Sequence, residues 1–414
     1  MAHAYQRAGG RLWSLIAALG LAIGLVTTAR HISATTAVQD VPGSPSPQAD
    51  TCGVGMGAGR TTPTLLYPPG EFPVKLPAVS LLGARNDRPN PYRPGMHWGQ
   101  LPNNRTWGST VGLYPGPDGT VWAFDNCGVV GPGECVGSPL DPILQFDTSG
   151  RFLKSFGKGM FASPHKMTVD ADGNVWVTDN ASGPGIGQQV LKFSPDGEVL
   201  MTLGKAGVIG SGLDEFDQPT DVAIASNGDI FVADGHTGRG GETGNARIMK
   251  FDKDGNFLKT WGRKGMGSGE FDTIHTIALD SRGRLFVGDR QNNRIQIFDA
   301  QGHFIDQWFQ FGRPSGIFID DNDVIYVADS ESRDGRSNTG QPSIPPTGYG
   351  FNAGARRGIR IGSARDGEVT AFIPDPCPYP YAGVPTMADG IMADADGNVY
   401  GGDFLGAVRK FVKK

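Results

Sequence analysis

Short apolar runs, each opened by a tight-turn dipeptide and closed by an aspartate, return six times along this chain. Asp172-Gly173-Asn174-Val175-Trp176-Val177-Thr178-Asp179 reappears as Asn227-Gly228-Asp229-Ile230-Phe231-Val232-Ala233-Asp234. Further copies open at Asp118-Gly119, Arg282-Gly283, Asn322-Asp323 and Asp396-Gly397, and end at Asp125, Asp289, Asp329 and Asp403. The opening pair suits the positive φ of a hairpin turn. One large ring sits at the same place in every copy: Trp122, Trp176, Phe231, Phe286, Tyr326 and Tyr400. Rings in register are what packed sheets need to fill the space between them.

A further strand follows each copy, among them Ile143–Phe146, Val190–Phe193, Ile248–Phe251, Ile295–Phe298 and Val408–Phe411. Most units add a fourth, as in Phe257–Trp261. Four antiparallel strands per unit, repeated radially, make a propeller blade, so the pattern predicts an all-β, six-bladed β-propeller over residues 71–414. The last unit stops after its third strand. Ring closure is therefore expected from an N-terminal strand between Glu71 and Asp87, with Val79-Ser80-Leu81-Leu82 as the candidate, covering an edge that would otherwise be open. The strand-end aspartates recur in every unit and read as turn-stabilising rather than catalytic groups, because short acidic side chains bond nearby amides.

Composition adds limits. With 63 glycines and 30 prolines the chain is turn-rich yet below the range of low-complexity sequence. A net charge of −5 lacks the basic footprint of a nucleic-acid binder. Arg7 and Arg11 precede an apolar run from Leu12 to Val26, and small residues follow to Ala34 and Ala37. That is the layout of a signal peptide over residues 1–37, with residues 38–70 as a flexible tether rich in Ser and Pro. The run is shorter than the roughly 20 residues of a spanning helix, so no stable membrane span is expected after removal of the signal. The mature chain is read as secreted or periplasmic, and as a monomer. An oxidising compartment permits disulfides. Cys127 and Cys135 flank a Gly-rich loop and are the favoured pair, which leaves Cys52 with Cys377.

The units resemble NHL repeats over about residues 100–414. Within that family, Pro164-His165-Lys166-Met167-Thr168-Val169-Asp170, Gln218-Pro219-Thr220-Asp221-Val222-Ala223, His275-Thr276-Ile277-Ala278-Leu279 and Gly288-Asp289-Arg290 resemble the peptidyl-α-hydroxyglycine α-amidating lyase. The resemblance implies a site where three histidines hold zinc and two arginines and a tyrosine serve the substrate. It places His165 and His275 at two of the zinc positions and Asp389 at the third. Met387 falls at a methionine of that site and Arg290 at one arginine. Asn126 stands where the other arginine would be, and His236 stands where the tyrosine would be. These last two departures bear on the amidating reaction itself.

The repeat register leads to the same trio. The residues eight places before each turn glycine, or its equivalent, are Val111, His165, Thr220, His275, Ser315 and Asp389. They mark the start of the innermost strand of each blade. His165, His275 and Asp389 fall on alternate blades, about 120° apart around a six-bladed ring. Two imidazoles and a carboxylate on one side of a divalent ion leave positions open for water or substrate, as in catalytic sites. Zinc is the first candidate, iron(II) and manganese(II) are alternatives, and calcium could serve structurally. His236 is the candidate proton carrier, Arg290 the candidate holder of an anionic or carbonyl group, and Met387 and Asn126 candidate walls. The substrate would be a small molecule or peptide. The competing reading is a non-catalytic binding propeller, with the 331–357 insertion as lid or docking loop under either reading. A calcium-dependent lactonase-like propeller is disfavoured by the shortage of Glu at the channel register, and no Gly-x-Ser-x-Gly or phosphate-binding loop is present.

Overall fold

The computed structural model describes residues 83–130, 135–236, 244–332, 350–375 and 388–414. The signal and tether regions, Val79–Leu82, Cys52, Cys377 and Met387 lie outside them. Among the described residues there are six four-stranded antiparallel sheets and no helix. The six innermost strands are Thr110–Pro115, Pro164–Val169, Pro219–Ile224, Ile274–Leu279, Gly316–Ile319 and Gly390–Ala393. Each contacts the next, and the last contacts the first, so the ring is closed around a channel. The expected six-bladed propeller is what forms.

Local chemistry explains the repetition. In most blades an aspartate ahead of the turn organises the hairpin: Asp170 accepts from the Asp172 and Asn174 amides at 3.1 and 2.9 Å. Asp252 does the same toward Asp254 and Asn256, at 2.9 and 2.8 Å. Gly173, at φ 82°, takes the left-handed turn position that a side chain would strain. The recurring rings are buried, and the apolar clusters lie between neighbouring blades; one of them joins Trp122 and Phe124 of the first blade to Val177 and Phe193 of the second. The strand-end aspartates are buried and structural, as expected. Asp289 accepts from the Asp272 amide at 2.7 Å and pairs with Arg294 at 2.8 Å, and Asp234 pairs with Arg247 at 2.9 Å.

Closure does use an N-terminal strand, but not the one expected. Met96–His97 pairs with Ala407–Phe411 and completes the sixth sheet. The two-residue strand carries no periodic signal of its own. Its place is decided by Trp98, whose ring sits 5.0 Å from Tyr400 in the last blade and 5.3 Å from Phe146 in the first. Tyr92, also buried, adds a bridge to Lys413. The favoured Cys127–Cys135 disulfide is present, with the Cα atoms 5.4 Å apart.

Two outcomes follow. Trp98→Ala should lower the unfolding free energy in denaturant by about 3 kcal/mol, since it empties a buried site shared by the first and last blades. Met96→Ala, at a side chain that is 61% exposed, should change it by less than about 0.5 kcal/mol. Equal effects would mean that Trp98 does not hold the closure. Cys135→Ser should cost about 2 kcal/mol by releasing a short closed loop, and non-reducing peptide mapping should recover the 127–135 bridge from the wild type.

Candidate metal centre

The innermost strands begin with a shared irregularity. Ile274 pairs with Asp289 and Thr276 with Gly288, so His275 is an extra residue facing no partner of its own. Thr220 is extra in the third blade, Val111 in the first, and the register shift at His165-Lys166 is the equivalent in the second. In the last two blades the Ser315 and Asp389 amides donate to the carbonyls of Ala328 and Gly402, which already face Gly316 and Gly390. A β-bulge re-aims the side chain it carries. Here it is repeated at the predicted register in all six blades.

The consequence is a triangle of imidazoles. Ring centroids are 4.8 Å apart for His165 and His275, 5.1 Å for His165 and His236, and 4.9 Å for His236 and His275. One candidate ligand atom from each lies within 4.8 Å of the other two. His165 Nδ1 donates to the Thr220 carbonyl and His275 Nδ1 to the Ser315 carbonyl, both at 2.6 Å. Each acceptor is the bulge residue of the next blade. With Nδ1 committed as donor, Nε2 keeps its lone pair, the tautomer and orientation that metal-ligating histidines require. Burial holds both imidazoles well below the usual histidine range, helped for His165 by the nearby His236 and for His275 by Arg290, so both stay neutral.

The structure brings His236 together with His165 and His275, beside the expected trio of His165, His275 and Asp389. The three imidazoles come from three consecutive blades, whereas His165, His275 and Asp389 belong to alternate ones. The Asp389 carboxylate is buried, with its Oδ1 3.9 Å from His275 Nδ1. Burial raises its pKa against the pull of Lys166, and its Oδ1 has no hydrogen-bond partner. His236 enters from a second register, two residues past strand-end Asp234.

Arg290 is buried with one guanidinium nitrogen 3.5 Å from His236 Nε2. Among the described residues, the Glu331 carboxylate lies 3.6 Å from the guanidinium. Asn126 is buried in the first blade with its Oδ1 3.7 Å from Cys135 Sγ. Sequence reasoning missed Lys166, whose ammonium is buried and bonds the Asp389 carbonyl at 2.5 Å. It also missed Glu331 as a site residue, although Glu331 stands two places past Asp329, as His236 does past Asp234. A cavity of about 540 Å³ lies elsewhere along the channel, lined by Lys166, Thr168, Asp221, Thr276 and Phe318 among others and by none of the three histidines.

Known proteins agree with this architecture. Residues 242–307 match a family described as a 6-bladed beta-propeller, and residues 216–239 match the NHL repeat. Over 160 residues the chain is 40% identical to peptidyl-glycine alpha-amidating monooxygenase of Mus musculus, covering 36% of this chain and 15% of that protein. Over 127 residues it is 40% identical to peptidyl-alpha-hydroxyglycine alpha-amidating lyase 1 of Drosophila melanogaster, covering 30% of this chain and 21% of that protein. The similarity therefore spans only a small part of these relatives' length. A gluconolactonase structure from Xanthomonas campestris is similar in fold, with a TM-score of 0.50 at 13% identity, over 79% of this chain and 100% of that one. This chain is a six-bladed β-propeller, one stretch of which matches the NHL repeat.

Proposed function

We propose that the protein is an exported propeller whose central channel holds a metal-dependent, lyase-like site for a carbinolamide or a related small hydroxylated compound. The observation that carries this reading is the convergence of His165, His236 and His275, two of them with Nδ1 tied to backbone carbonyls. Three imidazole nitrogens within 4.8 Å of one another suit zinc, with iron(II) and manganese(II) as alternatives. A bound ion would supply Lewis acidity toward a substrate oxygen. Partial-length similarity to proteins named for amidating chemistry supports the substrate class. The arginine-flanked apolar N-terminus and the Cys127–Cys135 bridge support export.

The chain's own groups divide the remaining work. Arg290 would bind and orient an anionic or carbonyl group beside His236. Cleaving a carbinolamide removes the hydroxyl proton, breaks the carbon–nitrogen bond and returns a proton to the leaving nitrogen. With His236 drawn into the trio, the Asp389 carboxyl is a further group able to move that proton: it is buried, lies next to His275, and is held toward its protonated form.

Elemental analysis of the purified mature protein should find about one equivalent of divalent metal. His165→Ala, His236→Ala and His275→Ala should each lower zinc affinity by at least about 100-fold, more than losses outside the ligand shell produce. Asp389→Asn should keep the metal and the fold while slowing glyoxylate release from a peptidyl-α-hydroxyglycine. Undiminished metal in all three histidine variants, with circular dichroism unchanged, would make these ordinary channel residues and the protein a binding propeller.

A further inference from the structure

Lys166 spans the channel. It stands one residue past the bulge position in the second blade, and its ammonium bonds the Asp389 carbonyl in the sixth at 2.5 Å. Gly112 and Gly390 hold the equivalent position in the first and sixth blades, which leaves room for the long side chain. Asp221 and Thr276 occupy it in the third and fourth blades. Asp221 accepts from the Val222 and Ile277 amides at 2.8 and 2.9 Å, and Thr276 accepts from the Ile317 amide at 3.0 Å. Together these side chains form a floor beneath the imidazoles.

The cavity of about 540 Å³ lies on the far side of that floor. Lys166, Asp221 and Thr276 line it, whereas His165, His236 and His275 do not. It follows the inner strands away from their bulges and reaches Asp172, Lys253 and Asp254 in exposed turns. Its mouth is therefore at the end of the ring opposite the histidines. Tyr114 of the first blade and Phe318 of the fifth meet across it, with ring centroids 5.6 Å apart. Ala223 and Ala278 hold the matching positions in the third and fourth blades and leave space there. The volume is within the range of small-molecule sites.

Donor and acceptor face this chamber from neighbouring blades. Among the described residues, the Asp389 carbonyl is the single hydrogen-bond acceptor for the Lys166 ammonium, which carries three N–H donors. Each Asp221 oxygen takes one backbone amide and keeps a further lone pair. A carboxylate ligand would bring like charge to Asp221, and an amine would bring it to Lys166. A primary carboxamide offers a carbonyl acceptor and an N–H donor on one neutral group.

We propose that Lys166 divides the channel, and that the chamber behind it is a second binding site for small primary carboxamides, separate from the imidazole triangle. The ligand carbonyl meets Lys166, its N–H meets Asp221, and a compact apolar body lies against Phe318 in the space left by Ala223 and Ala278. The site needs no metal. It goes beyond the lyase reading, and neither stands or falls with the other.

Calorimetric titration of isobutyramide, isobutyrate and isobutylamine into the purified protein tests this with three ligands of similar shape. Isobutyramide should bind at about one equivalent and at least about tenfold more tightly than either charged ligand, the order expected when a hydrogen bond to a charged group is exchanged for like-charge contact. Lys166→Met should shift the preference toward isobutylamine, because only the Asp221 acceptor remains. Asp221→Asn should shift it toward isobutyrate, because the Lys166 ammonium then acts alone. His275→Ala should leave isobutyramide affinity within about twofold, as for separate sites, while metal content falls. Absence of isobutyramide binding to the wild type would make the chamber a solvent-filled channel and overturn the proposal. Loss of binding in His275→Ala would place the ligand among the imidazoles and overturn it as well. So would uniform weakening of all three ligands in the Lys166 and Asp221 variants, the mark of a purely structural floor. If Asp221→Asn does not fold, the amide-to-amine shift in Lys166→Met still decides.

Discussion

The bulge that opens each innermost strand is the constraint on which the rest of the molecule depends. A regular ladder would alternate side chains between the two faces of a blade, both of which pack against neighbouring blades. The extra residue breaks that alternation once per blade, at the end of the strand nearest the axis. His165 and His275 belong to blades separated by a third, yet their rings lie 4.8 Å apart, which is feasible only across the channel. The same feature sets their chemistry. Each Nδ1 reaches the carbonyl of the next blade's bulge residue, so the bond that steers the imidazole also ties two blades together. Gly390 shows how close the approach is: a Cβ there would lie 2.8 Å from the Val111 carbonyl oxygen.

Charge is arranged around this ring with few loose ends. Lys166 is buried facing Asp389 and Asp221, and burial lowers its pKa while those carboxylates oppose the shift. Asp221 is pushed up to about 6 by its own burial. Arg290, Glu331 and Arg313 form a second island at the rim. Removing one member of such a set strands a charge in the interior, which costs more than the pair contributes. The strand-end aspartates follow the same rule farther out, each taking backbone amides and four of the six taking an arginine from the third strand.

What was legible in the chain was whatever repeats. The turn dipeptides, the rings at Trp176 and its equivalents and the strand-end aspartates each have a local physical cause, so six copies identified blades, strand order and the axial register. His165 and His275 were found because they occupy that register. The third imidazole was not, because His236 stands in a different register, past the end of a second strand, where the chain converges only in three dimensions. Asp389 shares the register of His165 and His275, and its carboxylate lies 3.9 Å from His275 Nδ1. The closing strand was legible in principle and wrong in place, because two residues carry no alternation and a tertiary contact of Trp98 decides where the chain docks.

The central claim is that three imidazoles, and not two imidazoles with a carboxylate, define the chemistry of the channel. X-ray absorption at the zinc edge on the zinc-loaded protein addresses it directly. The account predicts three nitrogen scatterers at about 2.0–2.1 Å with the multiple-scattering pattern of imidazole, and one or two lighter oxygen ligands from solvent. A first shell containing two imidazoles and a protein carboxylate, changed by Asp389→Asn but not by His236→Ala, would contradict it.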